Sequence, residues 1–191
     1  MTKKRGDAFS PDYLMQGSPA SGVLYTQNIH RYNVSSAAVV IGATGLMTSV
    51  AIALQAGDIV TNITFRTGTT AAVSPTAWWF ALYSAASTPA LLAQTADQTT
   101  GAMAASTTLT KALSTPQLIT VPGLYYAAIS VTAGTIPTLS GMILPHLDFS
   151  TGLLTTEKAL SQTSGSALGA TAPATIASTT KIVGVPYVVL T

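Results

Sequence analysis

Ala77-Trp78-Trp79-Phe80-Ala81-Leu82-Tyr83-Ser84 is the stretch that decides the fold class of this chain. Successive side chains of an extended backbone point to opposite faces, so Trp78, Phe80 and Leu82 lie opposite Trp79, Ala81 and Tyr83. Both faces therefore carry bulk. A short aromatic run of this kind, preceded by Pro75, reads as a strand at the centre of a sandwich or packed against a neighbouring subunit.

The flanking sequence continues in the same style. Ile59 to Arg66 places Ile59, Thr61, Ile63 and Phe65 on one face, and Gln55-Ala56-Gly57-Asp58 turns it back onto Leu46 to Leu54 as a half-buried hairpin. Asp58 follows Gly57 as a turn residue whose side chain bonds the local backbone. Leu91 to Thr95 is a short strand, and Leu109 to Leu113 and Gln117 to Val121 form two more around Pro116. Pro122-Gly123 turns into Leu124 to Thr132, another alternating run. Ile182 to Leu190 closes the chain, with Pro186 fitting an edge or a bulge because proline cannot donate to a ladder. Ser150 to Thr180, rich in Thr, Ser, Ala and Gly, reads as a long loop with a short helix around Leu153 to Leu160. About eight or nine short strands predict an all-β, antiparallel two-sheet sandwich of jelly-roll type. The echoes Ala-Gly-x-Ile-x-Thr at 56 and 133 and Lys-Ala-Leu-Ser at 111 and 158 are too short to define a repeat architecture.

Composition narrows the function classes. At 191 residues the chain suits one domain plus an extension. Only 7 % of residues are charged against 48 % hydrophobic, so few charges keep a monomer soluble and a homo-oligomer or larger assembly is the natural state. The net charge of +2 sits entirely in the first 36 residues, where Lys3, Lys4, Arg5 and Arg31 face only Asp7 and Asp12. A neutral domain with a basic tip lacks the stripe that nucleic-acid binding needs, and points instead to an acidic protein surface. Without cysteine there is no disulfide framework or thiolate site. Asp7, Pro11 and Asp12 interrupt any signal-peptide core after the basic start, and Gly42, Thr44, Gly45 and Thr48 dilute the uncharged stretch Ala37 to Ala56 as a membrane span.

Residues 1–36 are expected to form an extended arm and residues 37–191 the sandwich. Lys3, Lys4, Arg5, Phe9, Tyr13, Tyr25, Arg31 and Tyr32 are the anchoring candidates, since isolated aromatics without helical or strand period cannot make a core of their own but can fill pockets on a partner. The arm folding back on its own domain is the competing reading.

The phrases Pro75-Thr76-Ala77-Trp78-Trp79-Phe80-Ala81-Leu82-Tyr83, Leu91-Leu92-Ala93-Gln94-Thr95-Ala96-Asp97, Gly123-Leu124-Tyr125-Tyr126-Ala127-Ala128 and Ala133-Gly134-Thr135-Ile136-Pro137-Thr138-Leu139-Ser140-Gly141 resemble β-sandwich proteins encoded by tailed bacteriophages and prophages of actinobacteria. The resemblance spans about residues 23–191. It implies a minor virion component, often trimeric, with a jelly-roll or C1q-like module displayed outward and an N-terminal segment fixing it to the particle. Its implied place is the virion surface after assembly in the host cytoplasm.

Catalytic alternatives are thin. His146-Leu147-Asp148 would put imidazole and carboxylate on one strand face, yet no Gly-x-Ser-x-Gly elbow and no third ligand accompanies them, so a structural pair is expected. His30 falls in the arm. Asp58 and Asp97 are the carboxylates of the strand region, and a glycosidase would need them held at a fixed spacing. No phosphate loop, dinucleotide fingerprint, metal site or cofactor site is read. Trp78 and Trp79 point opposite ways, so one of them needs a second cover. A subunit interface with Tyr83 is the first expectation, packing against a loop the second, a sugar platform the third. The sequence thus reads as a non-enzymatic virion structural protein, a capsid decoration or cement protein held by its arm; the alternative is a minor tail or fibre-tip protein that binds a host glycan through loops such as Ser150 to Thr180.

Overall fold

A computed structural model describes residues 25–154 and 157–191. Thirteen strands and one short helix follow in order: β1 (Thr26–Gln27), β2 (Ser35–Val40), β3 (Met47–Leu54), β4 (Ile59–Arg66), β5 (Val73–Tyr83), β6 (Leu91–Gln94), β7 (Thr108–Leu118), β8 (Gly123–Thr135), β9 (Thr138–Ile143), α1 (Leu147–Thr151), β10 (Ser161–Ser164), β11 (Thr180–Lys181), β12 (Gly184–Pro186) and β13 (Val188–Leu190). The chain is an all-β antiparallel sandwich. One layer is a six-stranded sheet in the order β11-β10-β3-β8-β5-β6; the facing layer comprises a four-stranded sheet, β1-β13-β4-β7, and a three-stranded sheet, β12-β9-β2.

The interior follows from the alternation. Trp78, Phe80 and Leu82 of β5 meet Val50, Ile52 and Leu54 of β3 and Tyr125, Ala127 and Ile129 of β8 in one cluster with Ile63, Phe65, Leu109, Val188 and Leu190 of the opposite layer. Phe65 meets Phe80 edge-on, ring centroids 5.0 Å apart, so the two layers touch through an aromatic pair. On one side the layers are also joined by backbone, because Thr95 after β6 bridges Leu113 of β7.

Several elements depart from the periodic reading. Ile59, expected inside with Ile63 and Phe65, is 61 % exposed while Val60 is buried. The β4–β7 register shifts between Val60 and Asn62, and the amides of Thr61 and Asn62 both donate to the Thr191 carbonyl, at 2.6 and 2.8 Å. This bulge adds one residue and reverses the alternation. The two strands expected around Pro116 are one, β7; Val60 pairs Gln117 and Asn62 pairs Ala112, leaving Pro116 where β4 demands no hydrogen bond. The final run is two strands that change sheets at Tyr187, β12 pairing β9 and β13 pairing β4. Asn28 bridges that switch, its side chain donating to the Pro186 carbonyl at 2.8 Å and accepting from the Val188 amide at 2.9 Å.

The boundary of the arm moves as well. Thr26 and Gln27 pair with β13 and Ile29 lies in the main core, so residues from 25 onward belong to the sandwich instead of an arm reaching to 36. The segment 150–180 is not a loop throughout: Ser161–Ser164 is a strand buried between β3 and β11. The short helix lies at Leu147–Thr151, earlier than the expected Leu153 to Leu160.

Candidate functional site

Trp79, Ala81 and Tyr83 project from the outer face of the six-stranded sheet, beside Met47, Ala51, Tyr126 and Ala128. The sequence places a subunit interface here with Trp78, Trp79 and Tyr83. The structure corrects this, because all three are fully buried within the single chain. Trp78 lies in the sandwich interior, its indole donating to Gly101 O at 2.7 Å. Trp79 and Tyr83 are covered by the segment 165–177, which lies over the sheet as a strap and contributes Ala172 and Ile176 to their cluster, with Leu168 packed against it.

Backbone carbonyls hold the strap in place. Trp79 Nε1 donates to Gly169 O at 2.8 Å, Tyr83 Oη to Pro173 O at 2.8 Å and Thr132 Oγ1 to Leu168 O at 2.7 Å. Gln94 uses both ends of its amide, donating to Ala170 O at 3.2 Å and accepting from the Ala172 amide at 2.7 Å. Leu91 N to Ala174 O and Ile176 N to Pro89 O, at 2.8 and 2.9 Å, extend the pairing along β6. The strap's own side chains are small, so its position is set by what the sheet offers to its backbone.

Where the strap ends, a half-open cleft of about 380 Å³ lies between it, β10, β11 and the turn at 157–159. Tyr126, Pro89 and Ile176 line it together with Glu157, Gln162 and Lys181. Gln162 pairs with Ser49 on one side and Lys181 on the other, which puts the Gln162 and Lys181 side chains on the same outer face, next to each other. Gln162 is 6 % exposed, and among the described residues no protein group hydrogen-bonds its side-chain amide, which is open to the cleft. Lys158 also lines the cleft, but its ammonium is engaged by the carbonyls of Ala85, Ala86 and Leu124. Burial lowers the Lys158 pKa from the ordinary lysine value. Burial raises the phenols of this face, Tyr126 to about 12 and Tyr83 further still. The Tyr126 hydroxyl donates to Ala159 O at 2.9 Å, tying the cleft wall to the sheet.

The other site residues read from the sequence are dispersed. Lys3, Lys4, Arg5, Phe9 and Tyr13 lie outside the described residues. Arg31 and Tyr32 form a 3-10 turn capped by His30, and Tyr32 stands 89 % exposed with its ring stacked on His30 at 4.5 Å. Tyr25 is half-buried near Tyr187, whose phenol is raised by burial first, then by Tyr25, and lowered by Arg31. His146 and Asp148 do not share a strand face, since His146 precedes α1 and Asp148 lies in its first turn, both exposed. Asp58 accepts from the Gln55 amide at 2.8 Å, as a turn residue should. Asp97 accepts from the Trp78 amide at 2.8 Å, fastening the 97–101 turn around that indole. Both carboxylates hold backbone. Among the described residues no group of three His, Cys, Asp or Glu side chains converges on a metal position, and no helix is long and apolar enough to cross a membrane.

Gln162 and its cleft escaped the sequence reading because nothing in Ser161-Gln162-Thr163-Ser164 distinguishes a buried strand from linker. The faint signal was charge: Glu157, Lys158 and Lys181 are the charged residues of 157–181, and all three line the cleft. Compared with known proteins, the chain matches no family model and no curated protein sequence.

Proposed function

We propose that this chain is a non-enzymatic structural protein of a tailed-phage virion, a capsid decoration or cement protein that acts as a homotrimer and is anchored by its leading residues. The observation that carries the reading is a run of exposed apolar side chains on a charge-poor module. Leu147, Phe149, Leu153 and Leu154, on and just after α1, are exposed together, Leu153 at 73 %. Large exposed apolar side chains on a domain with so few charges favour a buried interface in an assembly. Lys3, Lys4, Arg5, Phe9 and Tyr13 would add the grip, with Arg31 and the exposed Tyr32 of the sandwich itself beside them in sequence, and each trimer would tie several capsid subunits together by multivalency.

Deleting residues 1–24 is the direct test, because β1 and Ile29 remain and the sandwich keeps its core. The shortened chain should fold and fail to join particles; incorporation at the parental level would place the anchor elsewhere. A minor tail or fibre-tip role that binds a host glycan is the second reading, favoured by the cleft that residues of 157–181 line together with Pro89 and Tyr126. Copy number in purified particles separates the two, many copies for decoration and a handful for a tail tip.

A further inference from the structure

We propose that the cleft beside Gln162 is a saccharide subsite, taking one neutral sugar unit whose hydroxyls bond the Gln162 amide. The inference rests on the glycan-binding reading and names its residues and ligand. Among the described residues no protein group bonds the Gln162 amide, although the residue is 6 % exposed, so its donor and acceptor are turned to the solvent of the cleft and are free for a ligand's hydroxyls in place of water. Gln162 lines the cleft, so a polar group unclaimed by the protein and the space for a ligand coincide.

The donor and acceptor set selects the ligand class. Gln162 presents an acceptor oxygen and an N–H₂ donor, Lys181 is donor only, and Glu157 is acceptor only when ionised. Lys158 offers a ligand no free donor, since its ammonium already donates to three carbonyls. An anion would use the donors and strand the amide oxygen and Glu157; a cation would do the reverse. Hydroxyl groups both donate and accept, and a sugar ring has apolar C–H edges for Pro89, Ile176 and the Tyr126 ring along the wall. A volume of about 380 Å³ lies at the small end of ligand sites and suits one ring better than a chain. Tyr126 is 3 % exposed, so the ring would rest on its edge and not stack on its face.

The test is saturation-transfer NMR on the full chain with glucose, galactose, mannose, rhamnose and N-acetylglucosamine at millimolar concentration, with the anions citrate and methyl phosphate alongside. At least one sugar should take up saturation, and Gln162→Leu should weaken that binding about tenfold, the loss of a good hydrogen bond. Thermal melting provides the second readout. Because the amide has no protein partner, Gln162→Leu should melt at or above the parental temperature. A marked drop would make Gln162 structural and overturn the proposal, as would citrate or methyl phosphate saturating in place of sugars. Sugar binding that survives in Gln162→Leu overturns this site but leaves glycan binding standing; no saturation of any sugar overturns both.

Discussion

Removing the hydroxyl of Tyr83 isolates one attachment of the strap. Tyr83→Phe keeps the ring and deletes only the 2.8 Å bond to Pro173 O, which should cost about 1–2 kcal/mol for a lost bond that leaves a half-buried carbonyl unpaired. Trp79→Phe removes the bond to Gly169 O and part of a fully buried indole, together about 2–3 kcal/mol. Both changes loosen the same segment, so the double variant should lose about 3–4 kcal/mol, less than the sum of the upper values. Against a domain stability of about 5–15 kcal/mol that remains measurable by urea unfolding. Hydrogen exchange supplies the location. The amides of Leu168, Ala172 and Ile176, bonded to Gly45 O, Gln94 Oε1 and Pro89 O, should exchange faster in the double variant while those of β8 stay protected. Unchanged exchange over 165–177 together with dissociation of an oligomer would refute the reasoning and return Trp79 to a subunit interface.

Four further outcomes are expected. Gly141→Ala should cost about 1–3 kcal/mol or more in urea unfolding, because its Cβ would fall against the Val185 carbonyl and 2.9 Å from Pro186 Cα where β9 meets β12. Asp97→Ala should destabilise by about 1–3 kcal/mol through the orphaned Trp78 amide, with Trp78 fluorescence shifting to the red on loosening of the 97–101 turn. Raising the pH above the ordinary tyrosine value of 10.0 should weaken the fold, since the unfolded chain releases its phenolic protons first and stability is lost until the folded Tyr126 value of about 12 is passed; Tyr126→Phe should remove part of that decline in pH-dependent melting. Dilution of the chain should leave tryptophan emission unchanged, as both indoles are buried within one chain.

What the sequence made legible was whatever its alternation encodes. β5 and β8 place every expected residue on the expected face, because each is a central strand with neighbours on both sides and a strict period of two. Asp58 was legible for a different reason, a local rule linking Gly57, the turn and its carboxylate. The bulge at Thr61 was not legible, since it depends on one carbonyl, Thr191 O, from the far end of the chain. The change of sheet at Tyr187 depends likewise on Asn28, which binds the Val188 amide across 160 residues of sequence. Of the candidate site, the charges at 157, 158 and 181 stand out in the sequence, whereas the burial and isolation of Gln162 arise only once β3 and β11 enclose β10.

The strap carries a practical lesson for anyone grafting an epitope or tag into this domain. Its residues look like filler, yet the sheet grips their carbonyls at Leu168, Gly169, Ala170, Pro173 and Ala174, so spacing along the main chain governs fit more than side-chain identity does. A replacement of equal length should be accommodated where an insertion of one residue would slip the whole series out of step and leave Trp79 and Tyr83 wet.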